Sequence, residues 1–363
     1  MDTLDDKDAP VELLRELVEI ESPPYSSGVL RVAQVMAREL EALGAAVTIL
    51  DGGHLTAEVG GTAPPLLVIG HTDTVWPVGT LESMPFHVDG GCAYGPGTYD
   101  MKASLVLLLE ALRRKAEESR AVRVFLTADE ELGSPTGRVW LEAAAEDVSA
   151  ALVVEPPTAA GELKTARKGL GRFRLHITGR PAHAGTHREE GVSAIEELAH
   201  QVLALHALND EERGISVNVG IVRGGTSENV VAAEAEAQVD VRIASAADRD
   251  RIEKALKELE PVLDDAALDL AGGWTRPPLE RSPGAAAMFE QARAYGGELG
   301  LALGEASSGG GSDGNIVGAL GIPVLDGLGA EGGGAHALDE HAVLPSIPVR
   351  AELLARLLRN PGL

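Results

Sequence analysis

A chain of 363 residues is too long for one small core, so its length predicts two domains with ample burial. Hydrophobic residues at 44% and charged residues at 24% describe an ordinary globular protein and exclude a disordered one. With 31 basic against 56 acidic residues the net charge is −25, which disfavours nucleic acid and anionic membrane as partners and leaves an anionic substrate dependent on locally placed arginines.

The first residues, Met1–Asp6, are acidic and lack the basic start and apolar stretch of a signal peptide, so a cytoplasmic protein is expected. Apolar residues at helical spacing predict helices over Val11–Ile20 and Val29–Leu43, the second stopping at Gly44. A strand is predicted over Ala46–Leu50. Leu66–Ile69 is a short continuous apolar run, as in a strand covered on both faces, and it ends just before His71 and Asp73. The single cysteine, Cys92, excludes an internal disulfide and a cysteine-rich zinc ribbon, and no basic neighbour in Gly90–Ala93 would activate it. Ser104–Lys115 reads as a helix whose apolar stretch, Leu105–Leu109, stops at Glu110, far short of a membrane span. Val122–Leu126 and Ala150–Val154 repeat the buried-strand pattern and lead to Asp129-Glu130-Glu131 and to Glu155. This alternation predicts an α/β fold with a doubly wound sheet, in which ligands bind beyond the carboxyl ends of the strands.

From about Lys168 the rhythm changes. Phe173–Thr178 reads as a strand with polar alternation, followed by a helix over Val192–Leu208, strands over Ile215–Val222 and Val230–Ile243, a helix over Asp248–Leu259 and a strand over Ala267–Leu270. This β-α-β-β-α-β order fits a small ferredoxin-like α+β sandwich with one open sheet face. Beyond Pro277-Pro278 the first rhythm resumes, with a strand over Ile322–Leu325 and a helix over Val349–Leu358. The expected organisation is a domain made of residues 1–166 and 277–363, interrupted by an inserted domain of residues 167–276.

Several acids and histidines follow the predicted strands. His71 and Asp73, two apart on extended chain, point to one side, so that one could ligate a metal while the other holds the imidazole. Asp100 follows Gly95-Pro96-Gly97 at the start of a helix, where its carboxylate could cap the helix or bridge two cations. Glu130 and Glu131 adjoin Asp129, and three consecutive acids repel one another unless solvent or a cation intervenes. Glu155 precedes Pro156-Pro157, which forces it to a sheet edge. His336 lies in glycine-dense chain, where backbone can approach a ligand closely. Each has an ordinary explanation alone. Together, two imidazoles and several carboxylates at strand ends point to a two-metal hydrolase.

The segments His71-Thr72-Asp73-Thr74-Val75, Gly95-Pro96-Gly97-Thr98-Tyr99-Asp100-Met101-Lys102, Asp129-Glu130-Glu131-Leu132-Gly133-Ser134, Val154-Glu155-Pro156 and Gly333-Gly334-Ala335-His336 resemble the co-catalytic zinc metallopeptidases. That family includes glutamate carboxypeptidase, aminoacylase, acetylornithine deacetylase and succinyl-diaminopimelate desuccinylase. The resemblance spans nearly the whole chain, and the stretch His71–Pro77 is most similar to the bacterial glutamate carboxypeptidase branch. It implies that the inserted domain is a lid and dimerisation domain, and that His71, Asp100 and Glu155 hold one Zn²⁺ while Glu131, His336 and the same Asp100 hold another. Co²⁺ or Mn²⁺ could substitute, since oxygen-rich sites discriminate poorly between such ions. Asp73 would orient His71, Glu130 would be the general base acting on a water that bridges the metals, and the Asp100–Met101 peptide would be cis.

By the same resemblance, His183 in Gly179–Gly185 reaches across a homodimer to stabilise the oxyanion, and Asn229, Arg242 and, as a weaker match, Arg276 grip the terminal carboxylate of a small peptide or N-acyl amino acid. Ser308–Gly311, leading into Ser312-Asp313-Gly314, could offer backbone amides to that carboxylate; it is not a nucleotide loop, since no Gly-Lys-Ser/Thr follows. His54, His87, His176, His187, His200, His206 and His341 read as surface or structural residues. The expected activity is hydrolysis of an amide bond beside a free carboxylate, of glutamate-carboxypeptidase type, with N-acyl-amino-acid deacylation as the alternative. Aminopeptidase action is disfavoured, because the family's aminopeptidases tend to place aspartate where this chain has Glu155.

Overall fold

The structure, a computed structural model, describes residues 9–115 and 120–363. The acidic start at Met1–Asp6 lies outside the described residues. Among them, no helix is long and apolar enough to cross a membrane. The chain forms two compact units, one of Met1–Ala166, Arg281–Ser308 and Ser312–Leu363, the other of Arg167–Glu280 and Gly309–Gly311.

The first unit is built on a six-stranded sheet in the order Ala46–Ile49, Leu55–Val59, Arg120–Thr127, Thr62–His71, Ala150–Val153, Val324–Leu325. The last four strands are mutually parallel. Leu66–Leu67–Val68, Val122, Val124–Leu126 and Ala150–Leu152 are wholly buried, because helices cover both faces and leave no room for a polar side chain. In Ala103–Arg113 the run Leu105–Leu109 is buried on every side, so this helix belongs to the core. The helix over Ser27–Ala42 ends where Gly44 adopts φ +81° and its amide bonds the Glu41 carbonyl.

Two features of this unit differ from expectation. Ala46–Ile49 belongs to an antiparallel edge hairpin with Leu55–Val59, a strand too short and mixed in character to stand out in the sequence. A second, four-stranded sheet of two- and three-residue strands runs in the order Gly332–Gly333, His341–Val343, Cys92–Tyr94, His87–Asp89. It holds the glycine-dense segment beside the chain that leads to Asp100. The parallel strands then determine the site, since Thr62–His71, Arg120–Thr127 and Ala150–Val153 run in the same direction and release the chain at one sheet edge.

The second unit is a four-stranded sheet in the order Ser216–Gly224, Glu234–Ile243, Gly169–Thr178, Ala267–Arg276, every neighbouring pair antiparallel. Phe173, Leu175 and Ile177 form a core with Ala235, Ala237, Val239 and residues of the helices Ala194–His206 and Ala246–Lys257, while Arg172 and Arg174 alternate outward. The strand expected from Val230 begins at Glu234, since Val231 instead donates to the Ala182 carbonyl in an irregular crossing. The strand expected to end at Leu270 runs on to Arg276. Gly272 permits this at φ +106°, where a Cβ would lie 2.3 Å from the Arg172 carbonyl oxygen.

Candidate metal centre

His71 is the last residue of its strand and is buried. Its Nδ1 lies 2.9 Å from the Asp73 carbonyl oxygen, which can only accept, so Nδ1 carries a proton. Nε2 therefore turns to the carboxylates, 3.1 Å from Asp100 Oδ1 and 3.5 Å from Glu155 Oε1. The Asp73 carboxylate stands 3.5 Å from Nδ1 and accepts the amides of Glu130 and Glu131 at 3.1 and 3.0 Å. Asp73 thus holds the imidazole chiefly through its main chain and anchors the acidic turn with its side chain.

Asp100 sits in a turn over Thr98–Lys102 entered through Gly97 at φ +71°, where a Cβ would strike the Thr74 side chain at 2.3 Å. The Asp100–Met101 peptide is cis. The carboxylate does not cap the following helix, whose cap residue is Lys102. Its two oxygens instead diverge, and Oδ2 lies 3.5 Å from Nε2 of His336. His336 has φ +62°, a left-handed conformation sparsely populated by non-glycine residues, and its Nε2 is also 3.5 Å from Glu131 Oε2.

The three consecutive acids divide their labour. Asp129 is buried, and its carboxylate accepts from Thr136 N, Thr136 Oγ1 and Gly137 N at 2.8, 2.6 and 3.2 Å, which fixes the start of the helix Gly137–Ala144. Glu131 faces His336, and Glu130 is half-buried beside it. Glu155 is held through chain that follows it, where Tyr99 Oη donates to the Pro157 carbonyl at 3.2 Å and Lys164 Nζ to that of Pro156 at 2.7 Å.

Two trios result, His71–Asp100–Glu155 and Asp100–Glu131–His336, each with its ligand atoms within 4.8 Å of one another. Burial works against ionisation of Asp100, but the imidazoles of His336 and His71 outweigh it and hold the carboxyl below the usual carboxylate range. Burial likewise opposes a charge on His71, yet Asp100 and Asp73 raise it well above 6.5. Hydrogen bonding to Asp100 and Glu131 pushes His336 up to about 10. Burial raises Glu131, against the pull of His336.

These residues fit divalent cations. Three carboxylates gather about two imidazoles, three of the four imidazole–carboxylate approaches are at 3.5 Å, and Glu131 Oε1 is buried with no hydrogen-bond partner. A cation between them would satisfy that orphaned oxygen, and mixed N/O donors suit Zn²⁺ and similar ions. A further exposed trio, His187, Glu189 and Glu190, has the character of solvated charge. His54 is structural: its Nδ1 accepts the Ala128 amide at 3.0 Å, and burial lowers its pKa.

Within the second unit, His183 is exposed, and its Nδ1 accepts the Gly185 amide at 3.1 Å, which places the neutral ring's proton on Nε2. Asn229 is its neighbour, its carbonyl accepting the Ala184 amide at 3.0 Å. Arg242 is already engaged, donating to both carboxylate oxygens of Asp240 at 2.7 and 3.1 Å and to the Gly309 carbonyl at 3.1 Å. Arg276 is buried, and a Cβ on Gly311 would lie 2.7 Å from its Cδ. Arg167, which the sequence reading passes over, donates to the carbonyls of Gly310 and Gly311. The tract 309–311 therefore turns carbonyls toward arginines. In the first unit, the amides of Ser312 and Gly314 are spent on Asn315 Oδ1 and Ser312 Oγ, so they are not the open anion nest expected. Also unanticipated is buried Glu340; its spacing of four from His336 in the same loop was the available signal.

Residues 67–360 match the model of peptidase family M20/M25/M40. Carboxypeptidase G2 of Pseudomonas sp. (strain RS-16) is 31% identical over 99% of this chain and 90% of its own. A succinyl-diaminopimelate desuccinylase of Thioalkalivibrio sulfidiphilus is 28% identical over 96% of this chain and 98% of its own. Among solved structures, aminopeptidase PepT from Bacillus cereus shares the fold with a TM-score of 0.80 over 99% of both chains at 22% identity. With a family match from residue 67 to residue 360 and a relative 31% identical along almost its whole length, this chain belongs to peptidase family M20/M25/M40 and is a hydrolase of that metal-dependent family.

Proposed function

We propose that this chain is a dinuclear zinc amidohydrolase of glutamate-carboxypeptidase type, cleaving an amide bond next to a free C-terminal carboxylate. The observation that carries the proposal is the divergence of the Asp100 oxygens toward two different imidazoles, each backed by a further carboxylate. His71, Asp100 and Glu155 would hold one ion, and Asp100, Glu131 and His336 the other. When bound, such a pair polarises the scissile carbonyl and lowers the pKa of the attacking water toward about 7.

Glu130 is the proposed general base. It stands on the turn that Asp73 anchors, takes the proton as the water oxygen bonds to the carbonyl carbon, and delivers it to the amine as the carbon–nitrogen bond breaks. His183, its Nε2 proton free to donate, would stabilise the oxyanion from a second copy of the chain in a homodimer. Asn229, Arg242 and Arg276 would receive the terminal carboxylate, for which Arg242 must exchange Asp240 for substrate.

The 31% identity to carboxypeptidase G2 supports the carboxypeptidase reading. N-acyl-amino-acid deacylation is a second reading, favoured by the 28% identity to a desuccinylase, and it uses the same bond chemistry. A panel of dipeptides and N-acyl amino acids, each with a free or amidated carboxyl terminus and assayed with added Zn²⁺, tests the assignment. Turnover should need the free carboxylate and should fall about 100- to 10,000-fold in Glu130→Gln with metal retained. Equal turnover of amidated substrates removes the carboxylate reading, and a wild-type rate in the variant removes the mechanism.

A further inference from the structure

We infer that Glu340 is a positioning residue of the metal centre, its buried carboxylate binding together the three segments that carry His71, Asp100 and His336. The inference rests on the two-metal reading above and adds a residue outside both trios.

The carboxylate accepts four hydrogen bonds. Oε1 receives the main-chain amides of Tyr99 and Asp100, both at 3.0 Å, and Oε2 receives the Gly97 amide at 3.0 Å and Trp76 Nε1 at 2.6 Å. Three donors come from the irregular turn that presents Asp100, and the fourth from the segment that leaves His71. The chain of Glu340 itself completes the link: its amide bonds the Ala337 carbonyl at 3.0 Å, the Ala337 amide bonds that of Gly334 at 2.8 Å, and His336 rides on this turn at φ +62°. At Gly334 a Cβ would lie 2.8 Å from the backbone of Asp339 and Glu340, so the turn closes this tightly only with glycine there. His336 and Glu340 are thus held at a fixed spacing on one rigid loop.

A carboxylate is the group this position requires. The turn amides of Gly97, Tyr99 and Asp100 all meet this carboxylate, and burying them unpaired would incur the full desolvation penalty of each. Only an acceptor with two oxygens and no hydrogens meets four N–H groups at once, because a carboxamide would turn an NH₂ against two of them. Burying the charge is unfavourable unless such bonds offset the lost solvation. All four donors belong to chain adjoining proposed metal ligands, so the device fixes where the Asp100 oxygens stand relative to His71 and His336. Groups that orient metal ligands in this way typically contribute 10- to 100-fold in affinity or activity.

The test compares wild type, Glu340→Gln and Trp76→Phe as metal-free protein titrated with Zn²⁺ against a chelator, with circular dichroism as the check on folding and kcat and KM measured on the same samples. Folded Glu340→Gln should bind Zn²⁺ about 10- to 100-fold more weakly and lose kcat with KM nearly unchanged, and Co²⁺-loaded protein should show an altered visible spectrum. Trp76→Phe, which removes one donor of the four, should shift affinity the same way by a smaller factor. Wild-type zinc affinity in folded Glu340→Gln overturns the inference. If that variant does not fold, wild-type affinity in Trp76→Phe overturns it instead. Wild-type protein that binds no Zn²⁺ removes the two-metal reading itself, an outcome distinct from either variant result.

Discussion

The Asp73 carboxylate accepts the main-chain amide of Glu131 at 3.0 Å, and that of Glu130 at 3.1 Å, which ties the exit of one parallel strand to the acidic turn after its neighbour. Asp73→Asn keeps the shape but places an NH₂ group against one of those donors. The variant should lose about 10- to 100-fold in kcat, with a smaller change in KM, measured by steady-state kinetics with saturating Zn²⁺. Unchanged kcat would mean that the turn holds Glu130 in place without it.

Asp129, one residue before Glu130, should behave oppositely. Its carboxylate accepts three hydrogen bonds at the start of the helix Gly137–Ala144 and belongs to neither metal-ligand trio. Asp129→Ala should lower stability by about 3 kcal/mol through orphaned donors, while metal stoichiometry in the folded fraction stays at the wild-type value. Denaturant unfolding and metal analysis of the native fraction check both halves.

His183→Ala should lower kcat by about 100-fold without releasing metal, the loss expected for one oxyanion donor. If a second copy supplies this histidine, an impaired Glu130→Gln chain mixed with an impaired His183→Ala chain should, after subunit exchange, exceed the summed activity of the two alone. Mixtures no more active than the sum of their components would reject the trans arrangement.

Metal binding and protons should compete. In the metal-free protein Asp100 and Asp73 hold His71 well above 6.5, and Asp100 and Glu131 push His336 up to about 10, so a cation entering at pH 7–8 must displace the proton of His336 and compete with that of His71. Zinc affinity should therefore climb with pH, with proton release visible as a buffer-dependent heat in titration calorimetry. The raised value of His336 stabilises the metal-free fold fully below pH 6.5, and that contribution is lost as pH rises through about 10. The Tm increase caused by Zn²⁺ should accordingly grow between pH 6.5 and 8.5, and a constant or shrinking increase would contradict the assignment.

The strands that release His71 and Glu155 were legible because Leu66–Ile69 and Ala150–Val154 are continuous apolar runs, a pattern that needs no tertiary context. The β-α-β-β-α-β order of the second unit was legible for a similar reason. Less visible were elements that tertiary contacts impose. The strand Cys92–Tyr94 and its partners are too short to carry any periodicity, and Gly272-Gly273 disguised the continuation of a strand to Arg276. Asp129 and Glu131 are alike in sequence, yet one caps a helix and the other faces His336, a difference decided by which way the turn rotates each side chain. Glu340 was hidden because an acid between Asp339 and His341 in a polar loop has the outward look of solvated charge.

Anomalous diffraction from crystals grown with Zn²⁺ tests the shared role of Asp100 most directly. Two peaks about 3.5–4 Å apart should appear, one bonded to His71 and the other to His336, each within about 2.0–2.2 Å of a different Asp100 oxygen. A single peak, or two peaks neither of which touches Asp100, would contradict it.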